Sequence, residues 1–475
     1  MDQNTVIQNL ILKVEKLTAR VQQLEQFEEE NKILRQENSA LKKENLELKE
    51  RLNRNSRNSN QPPSGDGYKK QPAFPKETKG TKGGQRGHKG SNLKHIEHPD
   101  SVIECKPESC SCGHELVKGN YELAEKRQVF DLPQPRLEVT EYQLYKVICP
   151  KCGKTNKAEA PEGITGAAQY GNGIKSYAVL LNVHYKLPFK KIQQLFNDLY
   201  GYPINESTIY SASVQCYEKL SESETIIKSK IANGNVAHAD ETGIRVAGKL
   251  HWLHTATSKL FTYLFVHDKR GRLALESDKS ILEKAKGWVV HDCWESYFKF
   301  NNVKHGTCNA HILRELEGLV QNDKSKWAKT FKTFLLLVYK MPFEERIKRK
   351  QIINNRYKHI CRIGELSEPL PYKTEKGKGR YKRTKGRNLV ERLIQKQEAV
   401  LAFAFNKEVP FTNNLAERDI RPAKVKLKIS NCFRTITGAD IYARVEGFLS
   451  TARKHNKNVY SELLATFEGN NFITA

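Results

Sequence analysis

The chain has 475 residues, with 80 Lys and Arg against 54 Asp and Glu and a formal net charge of +26, a length that suggests roughly three or four domains. A basic excess of this size, gathered in runs, points to nucleic acid as partner. There is no apolar run of membrane-spanning length and no apolar core of a signal peptide at the polar N-terminus, so no membrane partner and a cytoplasmic, nucleoid-associated location are expected. Ten cysteines in that setting argue for reduced thiols and bound metal rather than a disulfide scaffold.

Residues 1–53 place Ile7, Leu10, Val14, Leu17, Val21 and Leu24 at alternating three- and four-residue spacing. After a three-residue slip, Phe27, Leu34, Leu41 and Leu48 continue the seam, with Asn31, Asn38 and Asn45 between them. A buried asparagine at such positions favours two strands at a cost in stability, so a coiled coil joining two or more copies is expected. A single amphipathic helix packed on the body is the alternative. Residues 54–92 hold no aliphatic side chain larger than Ala73 and cannot build a core. Within this linker the run KGTKGGQRGHKG at 79–90 suits a basic arm that lays Arg86 and Lys89 on phosphates or in a minor groove, or a linker that merely solubilises.

Cys149-Pro-Lys-Cys152-Gly is a zinc half-site, because two thiolates two residues apart reach one tetrahedral ion. Cys110-Ser-Cys112-Gly is the weaker half, with Cys105 and His114 as alternative ligands. The intervening residues 121–148 read as strands, giving a small zinc-binding β module whose Zn²⁺ is structural. Residues 172–232 read as helices. Ile192, Phe196 and Leu199 mark one apolar face and Gly201 ends it. A second helix presents Ser207, Thr208, Tyr210, Ser211 and Gln215 outward, in the manner of a helix-turn-helix or of an ordinary helical pair.

Three β-like runs follow, at Val236–Asp240, His251–Thr257 and Leu260–Val266, then an amphipathic helix over Leu273–Lys286 and a fourth strand running into Asp292. Apolar residues bury each strand, and Asp240 and Asp292 stand where the first and last leave the core. An ionised carboxylate at such a place is costly unless paired or bound to a metal, and two aspartates make half a metal site. A third acid is sought elsewhere, and Glu417 in NNLAERDIRP is the candidate, on a short helix from near Asn414 that ends before Pro422. The Asn414-to-Glu417 spacing also fits a capping box. Arg418, Arg421, Lys424, Lys426 and Lys428 follow as a cation row suited to phosphates. Glu241 is the rival ligand, but adjacent strand residues face opposite ways. The 124 residues between Asp292 and Glu417 read as a helical insertion, with a basic strip at 372–387.

These stretches together resemble the IS-sixty-six family of bacterial insertion-sequence transposases. The likeness runs through the N-terminal zipper, NSRNSNQPPS, GGQRGHKG, YGNGIKSYAVLLNVHYKLPFKKI, HADETG, DCWESY, CNAHILREL and NNLAERDIRP. It implies an RNase-H-like core with Asp240, Asp292 and Glu417 as the catalytic acids. Two Mg²⁺ or Mn²⁺ ions held there would activate a nucleophile and stabilise the leaving 3′ oxygen. Cys308 and His311 match a Cys-x-x-His found after the second acid in related transposases; the residues alone suggest packing or DNA positioning. The resemblance also implies transposon ends and target DNA as partners, a homodimer or larger assembly, and small element-encoded accessory proteins.

The expected protein is therefore a multidomain α/β chain. It comprises a coiled coil (1–53), a basic linker (54–100), a zinc-binding β module with Cys110, Cys112, Cys149 and Cys152 (101–160) and a helical DNA-binding region (161–232). An RNase-H-like mixed-sheet catalytic core follows (233–312 and 406–450), carrying a helical insertion (313–405) and a tail (451–475). The expected function is metal-dependent cleavage and strand transfer at element ends. An inactive DNA-binding regulator and a nuclease without joining activity are the alternatives.

Overall fold

The computed structural model describes residues 3–59, 93–116, 121–370 and 383–475; Arg86, Lys89 and most of the basic strip at 372–387 lie outside them. The described chain forms two units, one of residues 1–69, 166–193 and 204–475, the other of residues 70–165 and 194–203. In the first, helix α1 (Gln3–Asn53) runs uninterrupted, so the slip at Phe27 does not break the backbone. Val14, Leu17, Val21, Leu24, Leu34, Leu41 and Leu48 along it are exposed. After it, Arg54–Ser59 turn back on themselves, and the Asn58 amide donates to Gln321 at 2.8 Å.

In the second unit, β1 (Lys146–Ile148) and β2 (Thr155–Lys157) form an antiparallel hairpin around the Cys149–Cys152 turn. The expected strands over 121–145 are absent. Val129, Leu132 and Val139 are almost fully exposed, so these alternating apolar residues have no sheet face to cover, and alternation alone does not hold a strand.

Helix α2 (Asn172–Val179) leads into a π-helical turn, and α3 (Phe189–Tyr200) begins in the first unit and ends in the second. Helices α4 (Glu206–Lys219) and α5 (Ser221–Ala232) precede the sheet. Ser207, Tyr210, Ser211 and Gln215 are exposed on α4 as expected, while Ile209, Ala212 and Cys216 are buried. The sheet comprises β3 (Val236–Val246), β4 (Lys249–Thr257), β5 (Thr262–His267), β6 (Trp288–His291) and β7 (Lys304–Thr307), in the order β5-β4-β3-β6-β7. The first three are antiparallel neighbours, while β3, β6 and β7 run parallel.

Between β5 and β6 the expected helix over 273–286 is only one turn, α6 (Arg272–Leu275), followed by tight turns. The reason is local. Ser277, Asp278 and Ser280 favour turns, and the Asn302 amide captures the carbonyls of Leu282 and Ala285 at 2.8 and 2.9 Å. Leu275, Ile281, Leu282 and Ala285 are still buried, so the apolar pattern is satisfied without a helix.

The insertion is α7 (Asn309–Asp323), α8 (Lys326–Lys340), α9 (Phe343–Lys348), α10 (Lys350–Ser367), α11 (Lys385–Gln395) and α12 (Gln397–Phe405). Its own core gathers Trp327, Phe331, Tyr357 and Leu393, while α12 lies against β7. Helix α13 (Asn414–Ser430) then passes through Pro422 instead of ending before it. A mid-helix proline costs about 3 kcal/mol, and burial of Ile420 and Ala423 on either side offsets it.

Helices α14 (Ile436–Lys454) and α15 (Val459–Glu468) close the unit. Residues 451–475 are not a tail, nor is 161–232 set apart from the sheet. Leu463 and Phe467 share one apolar cluster with Val179 and Ala212 of the helical region, Ile244 and Leu264 of the sheet, and Ile420 of α13. Leu463 is fully buried. Leu463→Ala should therefore cost about 2–5 kcal/mol in denaturant unfolding; a loss near zero would mean the C-terminus is dispensable to this core.

Candidate active site

Parallel pairing sets the site. β3 and β6 pair Val236 with Trp288 and His238 with Val290, so the register carried two residues further brings Asp240 level with Asp292. β6 and β7 pair His291 with Thr307, which puts Cys308 at the next step of the same row. Gly287 permits this alignment, because a Cβ there would strike the carbonyls of Asn235 and Gly234 at the start of β3. The sequence reading ended the first strand at Asp240, but β3 continues to Val246 and turns into β4 through Ala247-Gly248, both at positive φ (47° and 77°). Asp240 thus sits mid-strand, where β6 has stopped and β4 continues.

Helix α13 brings Glu417 to this row, and Asn413 before it makes the join. Its amide donates to the Ala239 carbonyl at 2.7 Å, its Oδ1 meets His238 Nδ1 at 2.9 Å, and its backbone N–H bonds Cys308 Sγ at 3.2 Å. Burial lowers the His238 pKa, which keeps the ring neutral. Asn413, not Asn414, precedes the helix, and its side chain caps nothing. Glu417 is therefore not half of a capping box, and its carboxylate is free of that duty.

The electrostatics follow from burial and like charge. The Asp240 carboxyl is held well above the usual carboxylate range, first by burial, then by Glu241, Asp292 and, less strongly, Glu417. Its only hydrogen bond among the described residues comes from the Glu241 N–H at 3.0 Å. Burial likewise raises Asp292, against the Trp294 N–H and the nearby Arg270 and Arg392. Glu241 faces the other side of β3, as strand alternation requires. Its side chain is 1% exposed and accepts from Arg270 at 2.8 Å and Tyr297 at 2.5 Å. Arg270 in turn lies over the rings of Trp252 and Trp294 at 4.9 and 4.4 Å. Glu241 is committed to that clamp. Sequence reasoning did not single out Asn413, Arg270 or Tyr297, because their partners lie far along the chain.

Among the described residues, one group of three ligand-type side chains has all its donor atoms within 4.8 Å of one another: Cys308, His311 and Glu417. The acids Asp240, Asp292 and Glu417 form no such tight group. Burial pushes the Cys308 thiol up to about 11 and His311 down to about 4.

Arg418, Arg421, Lys424 and Lys428 are exposed on α13, and their three- and four-residue spacing lines them along one face. Lys426 departs from the expected row. It turns inward to the Asn182 carbonyl at 3.2 Å, with its pKa lowered by burial to about 8.

In the second unit, Cys110 and Cys149 each head a tight turn. Gly113 N–H bonds the Cys110 carbonyl at 2.8 Å and Gly153 N–H the Cys149 carbonyl at 2.9 Å, with φ of +89° and +68° at these glycines. Backbone N–H groups of Cys112 and of Cys152 lower the Cys110 and Cys149 thiol pKa values, the form a metal needs. The two pairs do not join into one tight ligand group among the described residues.

A family model described as Transposase IS66 family matches residues 167–441, and a family of unknown function matches residues 2–94. No curated protein matches the chain.

Since Asp240 binds its proton more tightly folded than unfolded, the stability it contributes is present at low pH and is lost as pH rises through its folded value. In EDTA at neutral pH, Asp240→Asn should raise Tm by about 2–4 °C, and the gain should shrink in Mg²⁺. A lower Tm for the variant in EDTA would contradict the electrostatic account.

Proposed function

The chain belongs to the IS66 family of transposases, and on that premise we propose that it cuts DNA at the ends of its element and joins the freed 3′-OH to target DNA. The observation that carries this reading is the state of Asp240. It is half-buried and largely desolvated, and it is pressed by Glu241, Asp292 and, less strongly, Glu417, while no lysine or arginine among the described residues pairs with it. A buried cluster of that kind calls for a cation. The donors are all carboxylate oxygens, which suits Mg²⁺ or Mn²⁺.

Asp240, Asp292 and Glu417 are the residues that would hold the ions, with Asp240 placed between the other two. When bound, two such ions would supply a Lewis-acid clamp on the scissile phosphate and an activated water or 3′-OH. The rest falls to the chain. Asn413 fixes Glu417 relative to Asp240, while the α13 face of Arg418, Arg421, Lys424 and Lys428 takes phosphates of the bound strand. The strand order, three antiparallel strands followed by two parallel ones, supports an RNase-H-like core. The exposed seam of α1 supports pairing with a second copy as a coiled coil, because isolated helices rarely leave such a stripe in water. The two cysteine turns support a structural Zn²⁺ in the module.

With labelled element ends and Mg²⁺, Asp240→Ala, Asp292→Ala and Glu417→Ala should each slow cleavage about a thousandfold or more. Cleavage by Asp240→Ala at the parent rate would overturn the assignment. Joining of a free 3′-OH end to target DNA separates a transposase from a nuclease.

A further inference from the structure

The Cys308–His311–Glu417 cluster has a chemistry that the strand-cutting reading does not use. Cys308 stands just before the first turn of α7 and His311 follows within that turn, so both side chains rise from one end of the helix. Glu417 comes to them from the first turn of α13. The Cys308 thiol donates to Glu417 Oε1 at 3.9 Å and accepts the Asn413 N–H at 3.2 Å. Nδ1 of His311 is buried without a hydrogen-bond partner among the described residues, and an unsatisfied buried nitrogen is costly. The cluster thus gathers a sulfur, a carboxylate and an unpartnered ring nitrogen within 4.8 Å of one another, a set that a bound cation would complete.

We infer that Cys308, His311 and Glu417 form a binding site for a single thiophilic divalent cation, Zn²⁺ by chemistry, and that its occupation takes Glu417 away from Asp240. One sulfur, one nitrogen and one oxygen suit Zn²⁺ or its spectroscopic substitute Co²⁺, with a fourth position open to water. Mg²⁺ prefers oxygen donors and is not drawn to a thiolate. Two cations of different softness therefore compete for one glutamate: Mg²⁺ from the side of Asp240, Zn²⁺ from the side of Cys308. Binding releases the thiol proton to solvent. Zn²⁺ acts here as an inhibitor of strand cutting. That consequence rests on the function proposed above, whereas binding itself does not.

The test uses the full-length, metal-free, reduced chain beside Cys308→Ser and His311→Ala, titrated with Co²⁺ and followed by absorption. The module cysteines are present in all three chains, so their contribution cancels. The parent should bind one more Co²⁺ than either variant and show added sulfur-to-cobalt charge-transfer absorption. Equal uptake and equal spectra would overturn the site. In Mg²⁺-driven cleavage of element ends, added Zn²⁺ should abolish the parent's activity and spare whatever activity His311→Ala has of its own. Equal inhibition of both would overturn the competition. If no chain cuts DNA with Mg²⁺ alone, the strand-cutting reading falls, and the Co²⁺ titration still decides the site.

Discussion

Helix α13 is fastened to strand β3 at both ends, and the candidate site depends on that double attachment. At the start, Asn413 bonds the Ala239 carbonyl and His238. At the finish, Phe433 pairs with the end of β3, exchanging bonds with Arg245 and Ala247 at 2.8 Å each. The lengths agree: 17 helical residues span about 25 Å at 1.5 Å each, and the strand from Ala239 to Val246 spans about 23 Å. A third tie comes from Asp419, which accepts from Thr257, Thr262 and Lys454 at 2.6 to 2.9 Å. Lys454 and Asp419 are nearly buried, so removing either would strand a charge in the core. A glutamate far along the chain is thereby held beside an aspartate in the middle of the sheet.

The sheet supplies the other half of the geometry. Parallel pairing puts Asp240, Asp292 and Cys308 in one row, and the soft end of that row differs from the hard end. At the hard end, burial holds both carboxyls against ionisation, and the neighbouring acids press Asp240 further. At the soft end a thiol and an imidazole sit in similar burial. Glu417 lies between the two kinds of ligand. On the proposed reading, strand cutting and its inhibition are two outcomes of which cation that glutamate serves.

Much of this was legible in the sequence, for physical reasons that differ by residue. Asp240 and Asp292 stand out because each ends an apolar β-like run, where an unpaired acid is expensive. The helices of the insertion show in their 3.6-residue spacing. The long continuation of β3 was also readable, since Ile244 and Val246 alternate with Arg245 ahead of an Ala-Gly turn, but the acid drew the boundary too early. At two places tertiary context overrides a local signal. Pro422 signals a stop, but buried neighbours carry the helix through it. The apolar spacing over 273–286 signals a helix, but Asn302 takes its carbonyls. Asn413 was invisible because its partners, Ala239 and Cys308, are more than a hundred residues away. Lys426 looked like its neighbours in a cation row, and only packing reveals that it points at the Asn182 carbonyl.

The central claim is that Asn413 holds Glu417 in register with Asp240 so that they share a hard divalent cation. It is tested most directly by Mn²⁺ binding measured by electron paramagnetic resonance on the parent and on Asn413→Ala, with cooperative unfolding checked in both. The account predicts a folded variant whose Mn²⁺ affinity falls about 10–100-fold. A folded variant that binds Mn²⁺ as tightly as the parent would contradict it.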